Sequence, residues 1–515
     1  MSGHFHLAGE QVKREDMLSR ARKIAQMLQN KGVSTGDVIT ILLRNDTTLY
    51  EVVEACRYVG AYYVTLNWHG TQAELMPILS DSGAKVLVGH SNLLGQFTQP
   101  LPPDLAVLVV DTPDVINQRY AKSDVLPTTK SSTDDRLSAT AHWERLTAVL
   151  RDTPEIESQP ERFRGMFSYT SGSTGQPKGI KREYDEQRPD PYTVFAGLAK
   201  ALMQLDSGDR FYIAAPLYHS APHALTLCCL AAGNVTVFIE PKFDPERFLA
   251  DVQQHKITHT YIVPTMMIRL LKLPQEVREK YDVSSLRYAL STGSAWPVDV
   301  KQGMIDWFGP IFFESYGASE LGFMTLISSQ ESLAKPGSVG KAIAGGSIII
   351  LDDAMQPVPI GESGSIYVHL PMFGPFKYTN TQGTLDGLHY QNYTTLGDMG
   401  YLDDEGYLFI NDRKKDMIIS GGANIFPAEI EAVLIHMPQI ADCAIFGIPD
   451  SEFGEMIVLA AQCQPGQHLD IAQVCEFLDG RIARFKWPKK LDIHDQLPRE
   501  DSGKIFKQRL RAAYV

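Results

Sequence analysis

A chain of 515 residues is long enough for two or more domains with a large buried core. Its 44 % hydrophobic and 21 % charged content is that of an ordinary globular protein. The net charge of −13, from 48 Lys+Arg against 61 Asp+Glu, excludes a general attraction to nucleic acid, although a polyanion can still bind through local donors. The six cysteines (Cys56, Cys228, Cys229, Cys443, Cys463 and Cys475) show no CxxC spacing, so neither a zinc site nor a redox pair is signalled. Such usage predicts buried thiols in a reducing compartment and makes cytoplasm the expected location. The first residues, MSGHFHLAGEQVKRED, lack an apolar signal core, and no run of 18 apolar residues predicts a membrane span.

Residues Asp16 to Lys31 carry apolar side chains at helical spacing and stop near Gly32. The run Asp37–Leu43 (DVITILL) reads as a buried strand. A helix over Thr48–Val59 and a strand over Tyr62–Leu66 follow. From about Asp111 to Arg164 the chain is rich in Ser, Thr, Asp and Pro and predicts a long surface connection. Strands are predicted at Arg210–Ala214, Val235–Ile239 and His259–Val263. Residues Gly337 to His369 predict a β-rich subdomain of short strands and turns. Beyond Arg413, a helix over Pro427–Met437 and strands over Asp442–Phe446 and Met456–Gln462 predict a small α+β module. The alternation as a whole gives an α/β fold class with largely parallel sheets.

The most informative segment is Tyr169–Gly179, YTSGSTGQPKG, which follows a strand-like Met166–Tyr169. Gly172 and Gly175 let the backbone turn tightly and present N–H groups to an anion. Thr170, Ser171, Ser173 and Thr174 add hydroxyls, and Lys178 adds positive charge. This is the chemistry of a phosphate cradle, yet not a Walker loop, because the glycine spacing differs and Gly179 follows the lysine.

The eleven-residue string resembles the signature loop of the adenylate-forming superfamily, which includes acyl-CoA synthetases, peptide-synthetase adenylation domains and firefly luciferase. Other segments resemble that family in the same order. Ala215–His219 (APLYH) is similar to its APLFH segment, and Thr292–Pro297 (TGSAWP) to a turn lining the adenine pocket, with Gly293, Ser294 and Ala295. Ser315–Glu320 (SYGASE) is similar to YGxTE, which places Ser315, Tyr316, Gly317, Ala318 and Ser319 around the nucleotide and Glu320 on magnesium, with Ser319 standing where Thr is usual. Thr395–Gly400 (TLGDMG) resembles TGDLG, whose Asp, here Asp398, grips the ribose. In Asp412–Glu431 (DRKKDMIISGGANIFPAEIE), Arg413 falls at a ribose or phosphate ligand, Lys415 at the hinge, and Gly421 and Gly422 along the thiol tunnel. Pro498–Lys504 (PREDSGK) places Lys504 at the catalytic lysine position. The resemblance implies an AMP-binding domain over 1–413 and a mobile lid over 414–515.

It also implies an ATP-dependent ligase that forms an acyl-adenylate. Two anions must meet, a carboxylate and the α-phosphate of ATP, so the site must supply positive charge. Lys504 would supply it directly, and magnesium held by Glu320 and Thr174 would shield the phosphates. The acyl group would then pass to coenzyme A, or alternatively to a carrier protein. No carrier domain follows Lys504 in this chain, which favours CoA. The basic run ARFKWPKK offers Arg484, Lys486, Lys489 and Lys490 to the CoA phosphates. By position the acid pocket holds His219, His223, Ser294, Ala295, Ser315, Gly317, Phe323 and Met324. That lining has no acidic partner for an ammonium group, so amino acids are disfavoured and an apolar carboxylic acid is expected. Its chain length or ring type, the oligomeric state and peripheral membrane contact stay open. His219 and His223 stand at i, i+4, but HSAPH has no Glu and Pro222 is read as an obstacle to a helix, so a pocket wall is expected rather than a metal site.

Overall fold

A computed structural model describes residues 3–121, 143–171, 177–294, 296–343, 345–372, 374–379, 388–414, 416–420, 423–451, 453–499 and 505–514. Two α/β layers and a smaller α+β unit make up the chain. The first sheet runs Tyr62–Thr65, Val38–Leu42, Val86–His90, Ala106–Val110, Trp143–Arg145, and every neighbouring pair is parallel. Helices Arg14–Asn30 and Thr47–Val59 pack together on it. The second helix is capped by Asp46, whose side chain accepts from the Thr48 N–H, and ends at Gly60 in the left-handed region, φ 63°.

The second sheet has 14 strands among the described residues. Its centre is parallel, through Thr236–Ile239, Arg210–Ile213, His259–Tyr261, Tyr288–Ser291 and Phe312–Glu314. It turns antiparallel at Thr325–Ser328 and continues through Ser338–Ala342, Leu408–Arg413 and Tyr393–Leu402 to Gly364–His369 and Ser347–Leu351. The β-rich region expected from Gly337 to His369 supplies three strands of this half, Ser338–Ala342, Ser347–Leu351 and Gly364–His369. Asn45 joins the two sheets. Its buried amide donates to the Ala215 and Glu240 carbonyls at 3.0 Å each and accepts from the Leu217 N–H at 2.9 Å.

After Arg413 a separate five-stranded sheet forms around the hairpin of Ile440–Asp450 and Gly454–Cys463. Helices Pro427–Leu434 and Ile471–Leu478 cover one face through Ile430, Leu434, Val474 and Leu478, all fully buried.

The structure differs from the sequence reading in two places. The stretch from Asp111 to Arg164 is not only a surface connection. Among its described residues, Asp114–Tyr120 and Leu146–Arg151 are helical, and Trp143–Arg145 adds an edge strand to the first sheet. Three residues carry no readable alternation, and the neighbouring strand supplies what propensity does not. Pro222 does not obstruct a helix either. Ser220–Ala232 is α-helical with Pro222 as its third residue. An amide there has no intrahelical acceptor, so the missing N–H costs nothing.

Candidate active site

Parallel strands gather ligand-binding segments at their carboxyl ends. Here Ser291 and Glu314 are paired at that edge, so the turn after Ser291 and the SYGASE segment emerge side by side. Pro216–His219 follows Arg210–Ile213 in the same sheet and is held by the Asn45 contact to Leu217. His219 is the N-cap position of helix Ser220–Ala232. Gly293 adopts φ 96°, a left-handed conformation that favours glycine.

The segment Ser315–Phe323 folds into a minimal hairpin, Gly317–Ala318 against Gly322–Phe323, with Ser319 and Glu320 at its tip. A Cβ on Gly317 would lie 2.6 Å from the Gly322 carbonyl oxygen, so the close pairing requires glycine. Thr325, absent from the sequence reading, anchors the base. Its carbonyl accepts from the Ser315 hydroxyl at 2.6 Å and its Oγ1 accepts from the Tyr316 N–H at 3.2 Å. Tyr316 in turn donates its phenolic hydrogen to Asp398 Oδ2. The other oxygen of Asp398 faces Arg413 Nε at 3.3 Å, across the paired strands Tyr393–Leu402 and Leu408–Arg413. Burial, reinforced by the Asp398 charge, pushes the Tyr316 phenol well up, so it stays a neutral donor. Three residues predicted to meet at the nucleotide do meet, around one carboxylate.

The strands on either side of the glycine-rich segment pair antiparallel. Ser168–Ser171 pairs with Pro177–Arg182, with Thr170 opposite Lys178, and a third strand, Phe376–Tyr378, lies along the second. Gly179 makes room for the base of this strand pair. A Cβ there would meet Phe167 at 2.5 Å and the Thr379 hydroxyl at 2.6 Å. Tyr169 and Thr379 both donate to Asp81, at 2.5 and 2.6 Å. Gly172, Ser173, Thr174 and Gly175 lie outside the described residues, as do Ala295, Lys415, Gly421, Gly422 and Lys504.

Glu320 is half-buried, and its Oε1 accepts from the Tyr378 hydroxyl at 3.0 Å. Arg182 lies beside it. The guanidinium donates to the Gly374 carbonyl at 3.1 Å and reaches the Ser319 carbonyl at 3.5 Å. Burial lowers its pKa to about 10, while the Glu320 charge opposes that drop. The Ser319 hydroxyl pairs with Ser220 at 2.9 Å. Oxygen donors at a hairpin tip, with a carboxylate among them, fit a hard divalent cation such as magnesium.

The predicted acid-pocket residues part company. His223 is 1 % exposed, stacks on Tyr50 with centroids 5.8 Å apart, and holds the Tyr63 hydroxyl at 2.8 Å through Nε2. Burial drives its pKa down to about 3, so it is neutral. Phe323 packs into the large core that includes Tyr63, while Met324, the next residue, enters the cluster of Ile180, Leu321 and Ile350. Successive residues of an extended chain point to opposite faces, so the two cannot line one wall. A groove of about 530 Å³ lies elsewhere, lined by Arg188, Val194, Gly197, Leu198, Pro371 and Met372 among others.

Comparison with known proteins agrees with this geometry. Residues 5–375 match the family of the AMP-binding enzyme, and residues 429–504 match the AMP-binding enzyme C-terminal domain. The chain belongs to the AMP-binding enzyme family. A feruloyl-CoA synthase from Amycolatopsis is 30 % identical over 97 % of this chain and 93 % of its own length. A long-chain-fatty-acid–CoA ligase of Mycobacterium tuberculosis is 29 % identical over 97 % of this chain and 92 % of its own length. The solved structure of o-succinylbenzoate coenzyme A synthetase from Bacillus subtilis, in complex with ATP and magnesium ion, superposes with TM-score 0.79 at 25 % identity, covering 99 % and 96 % of the two chains.

In this AMP-binding enzyme, Thr325, Tyr378, Arg182, Ser220 and Tyr63 escaped the sequence reading. Arg182 was within reach of it, since Lys178, Ile180 and Arg182 share one face of a strand by period-two spacing. Tyr378 was not, because nothing in PFKYTN marks a residue that will touch Glu320, 58 positions away. The basic run is partly neutralised. Lys486 pairs with Glu429 at 2.6 Å and Arg484 with Asp479 at 3.3 Å, while Lys489 and Lys490 rest over the rings of Phe453 and Tyr514. Among the described residues, no helix is long and apolar enough to cross a membrane.

Proposed function

We propose that this enzyme is an AMP-forming acid–thiol ligase. It activates an apolar carboxylic acid as the acyl-adenylate, with release of pyrophosphate, and transfers the acyl group to coenzyme A. The observation that carries the reading is the Asp398 carboxylate, held between Tyr316 and Arg413, beside a hairpin tip that presents Glu320. A carboxylate fixed in this way suits a ribose diol, and the Tyr316 ring beside it suits a purine face. The named relatives act on a feruloyl group and on long-chain fatty acids, both largely apolar, which supports an apolar acid here.

Each residue then has a task. The hairpin of Ser168–Ser171 and Pro177–Arg182 carries the glycine-rich loop, whose amides and hydroxyls would hold the departing pyrophosphate. Glu320, with Thr174, would hold magnesium, which when bound offsets the phosphate charge. Lys504 would stabilise charge as the carboxylate meets the α-phosphate. We assign residues 1–413 to the nucleotide and acid sites and 414–515 to a lid that turns about Lys415, so that Lys504 withdraws and the thiol enters past Gly421 and Gly422. The lack of CxxC spacing and the buried Cys56, Cys228, Cys229 and Cys443 support a cytoplasmic enzyme.

The test is to separate the half-reactions. Lys504→Ala should slow acid-dependent pyrophosphate exchange by about 10²-fold or more and spare thioester formation from supplied acyl-AMP. Lys415→Pro should do the reverse, because a fixed φ blocks the rotation. Equal loss of both steps in both variants would contradict a single rotating site. If an acylated carrier protein formed and free CoA gave no thioester, the acceptor would be the carrier.

A further inference from the structure

We propose that Tyr378 is a positioning residue for the metal site, setting which oxygen of Glu320 meets the cation and tying that carboxylate to the phosphate-binding hairpin. The proposal rests on the reading of Glu320 as a magnesium ligand.

Glu320 stands at the tip of a tight hairpin, where a long side chain ordinarily samples several rotamers. The Tyr378 hydroxyl, 3.0 Å from Oε1, selects one of them with a hydrogen bond to a charged acceptor. Oε1 is thereby engaged and Oε2 is left to face a cation. Loss of a group that orients a metal-binding side chain from behind typically weakens metal affinity by about 10- to 100-fold.

The place of Tyr378 is fixed by backbone. Strand Phe376–Tyr378 pairs antiparallel with Pro177–Arg182, with Phe376 opposite Arg182 and Tyr378 opposite Ile180. The next residue closes the link, as the Thr379 N–H donates to the Gly179 carbonyl at 2.9 Å and the Gly179 N–H donates to the Thr379 hydroxyl at 3.2 Å. The Lys178 ammonium sits 5.5 Å from the centre of the Tyr378 ring, and Phe376 is buried. One three-stranded unit therefore carries both the glycine-rich loop and the phenol that grips Glu320. A cation held by Glu320 would thus be tied through Tyr378 to the strands that flank the glycine-rich segment, although the two lie far apart in sequence. Arg182, on the same strand, reaches the Ser319 carbonyl at 3.5 Å and places its positive charge near Glu320.

The experiment measures Mn²⁺ as the probe by electron paramagnetic resonance, with α,β-methylene-ATP present so that no turnover occurs. The full-length protein is compared with Tyr378→Phe, Glu320→Gln and the double variant. Tyr378→Phe keeps the ring and removes only the hydroxyl. It should weaken Mn²⁺ binding about tenfold, the order expected for losing one hydrogen bond to a charged group. Glu320→Gln should weaken it by about 10- to 100-fold. The double variant should be no more than about twofold weaker than Glu320→Gln, because the phenol acts through the carboxylate. In pyrophosphate exchange, the half-saturating magnesium concentration of Tyr378→Phe should rise by a similar factor while KM for the acid holds. Wild-type Mn²⁺ affinity in Tyr378→Phe, or a double loss equal to the product of the single losses, would overturn the positioning role while leaving Glu320 as the ligand. Unchanged Mn²⁺ binding in Glu320→Gln would instead overturn the metal reading and the proposal with it.

Discussion

Tyr316 donates its phenolic hydrogen to Asp398, 82 positions further along the chain. One residue comes from the hairpin that follows the parallel strand Phe312–Glu314, the other from the antiparallel strand Tyr393–Leu402. The bond therefore joins the two halves of the large sheet where the nucleotide is proposed to bind. Arg413 holds the opposite oxygen of Asp398, so the carboxylate is fixed on both sides before any ligand arrives.

Removing that bond gives the first prediction. Tyr316→Phe keeps the ring and frees Asp398 to rotate. KM for ATP should rise about fivefold to tenfold, consistent with one hydrogen bond to a charged group, while KM for the acid stays within twofold. Steady-state kinetics with each substrate varied in turn would show it. An equal rise in both constants would mean that Tyr316 supports the whole site rather than the nucleotide.

His223 predicts a pH dependence of stability. Burial lowers its pKa from 6.5 to about 3, between the rings of Tyr50 and Tyr63. The unfolded chain takes up this proton near pH 6.5, whereas the folded protein resists it until about pH 3. Between those values the unfolded state binds more protons, so stability rises with pH. The contribution is complete above about pH 6.5 and is lost as the pH falls toward 3. His223→Phe should flatten this limb, removing about 2 kcal/mol of the difference between pH 7 and pH 5. Urea denaturation of both proteins at the two pH values would measure it, and parallel losses would contradict it.

Lys301 and Glu314 form an ion pair with side chains 7 % and 8 % exposed, and Glu314 immediately precedes Ser315 and Tyr316. Burial raises the Glu314 pKa, and the Lys301 charge opposes that rise. Lys301→Met would strand a buried carboxylate and should cost about 3–5 kcal/mol. Lys301→Met with Glu314→Leu should recover much of that loss, because the pair is then replaced by apolar contact. Chemical denaturation of the single and double variants tests this, and a double variant no more stable than the single would contradict it.

The sequence showed what depends on neighbours along the chain. Helix Arg14–Asn30 and strand Val38–Leu42 were legible because their apolar spacing is strong, and the helix read over Thr48–Val59 is found at Thr47–Val59, where Asp46 and Gly60 cap it. Pro222 misled, since its effect depends on its place within a helix whose start was not recognised. Asp398, Tyr316 and Arg413 were each legible as motif residues, yet only the paired strands bring them together. Thr325 and Tyr378 carried no local signal at all. Each matters through a partner supplied by strand pairing, at Tyr316 and Glu320. Nor did the sequence show that Phe323 and Met324, adjacent along the chain, face different cores.

This enzyme splits ATP to AMP and pyrophosphate while making a thioester. The most direct test incubates the protein with ATP, magnesium, CoA and a panel of apolar acids, and resolves the nucleotides and acyl products by chromatography. AMP, pyrophosphate and acyl-CoA should appear in equal amounts, and AMP formation should require the acid. ADP and phosphate in place of AMP and pyrophosphate would contradict the account.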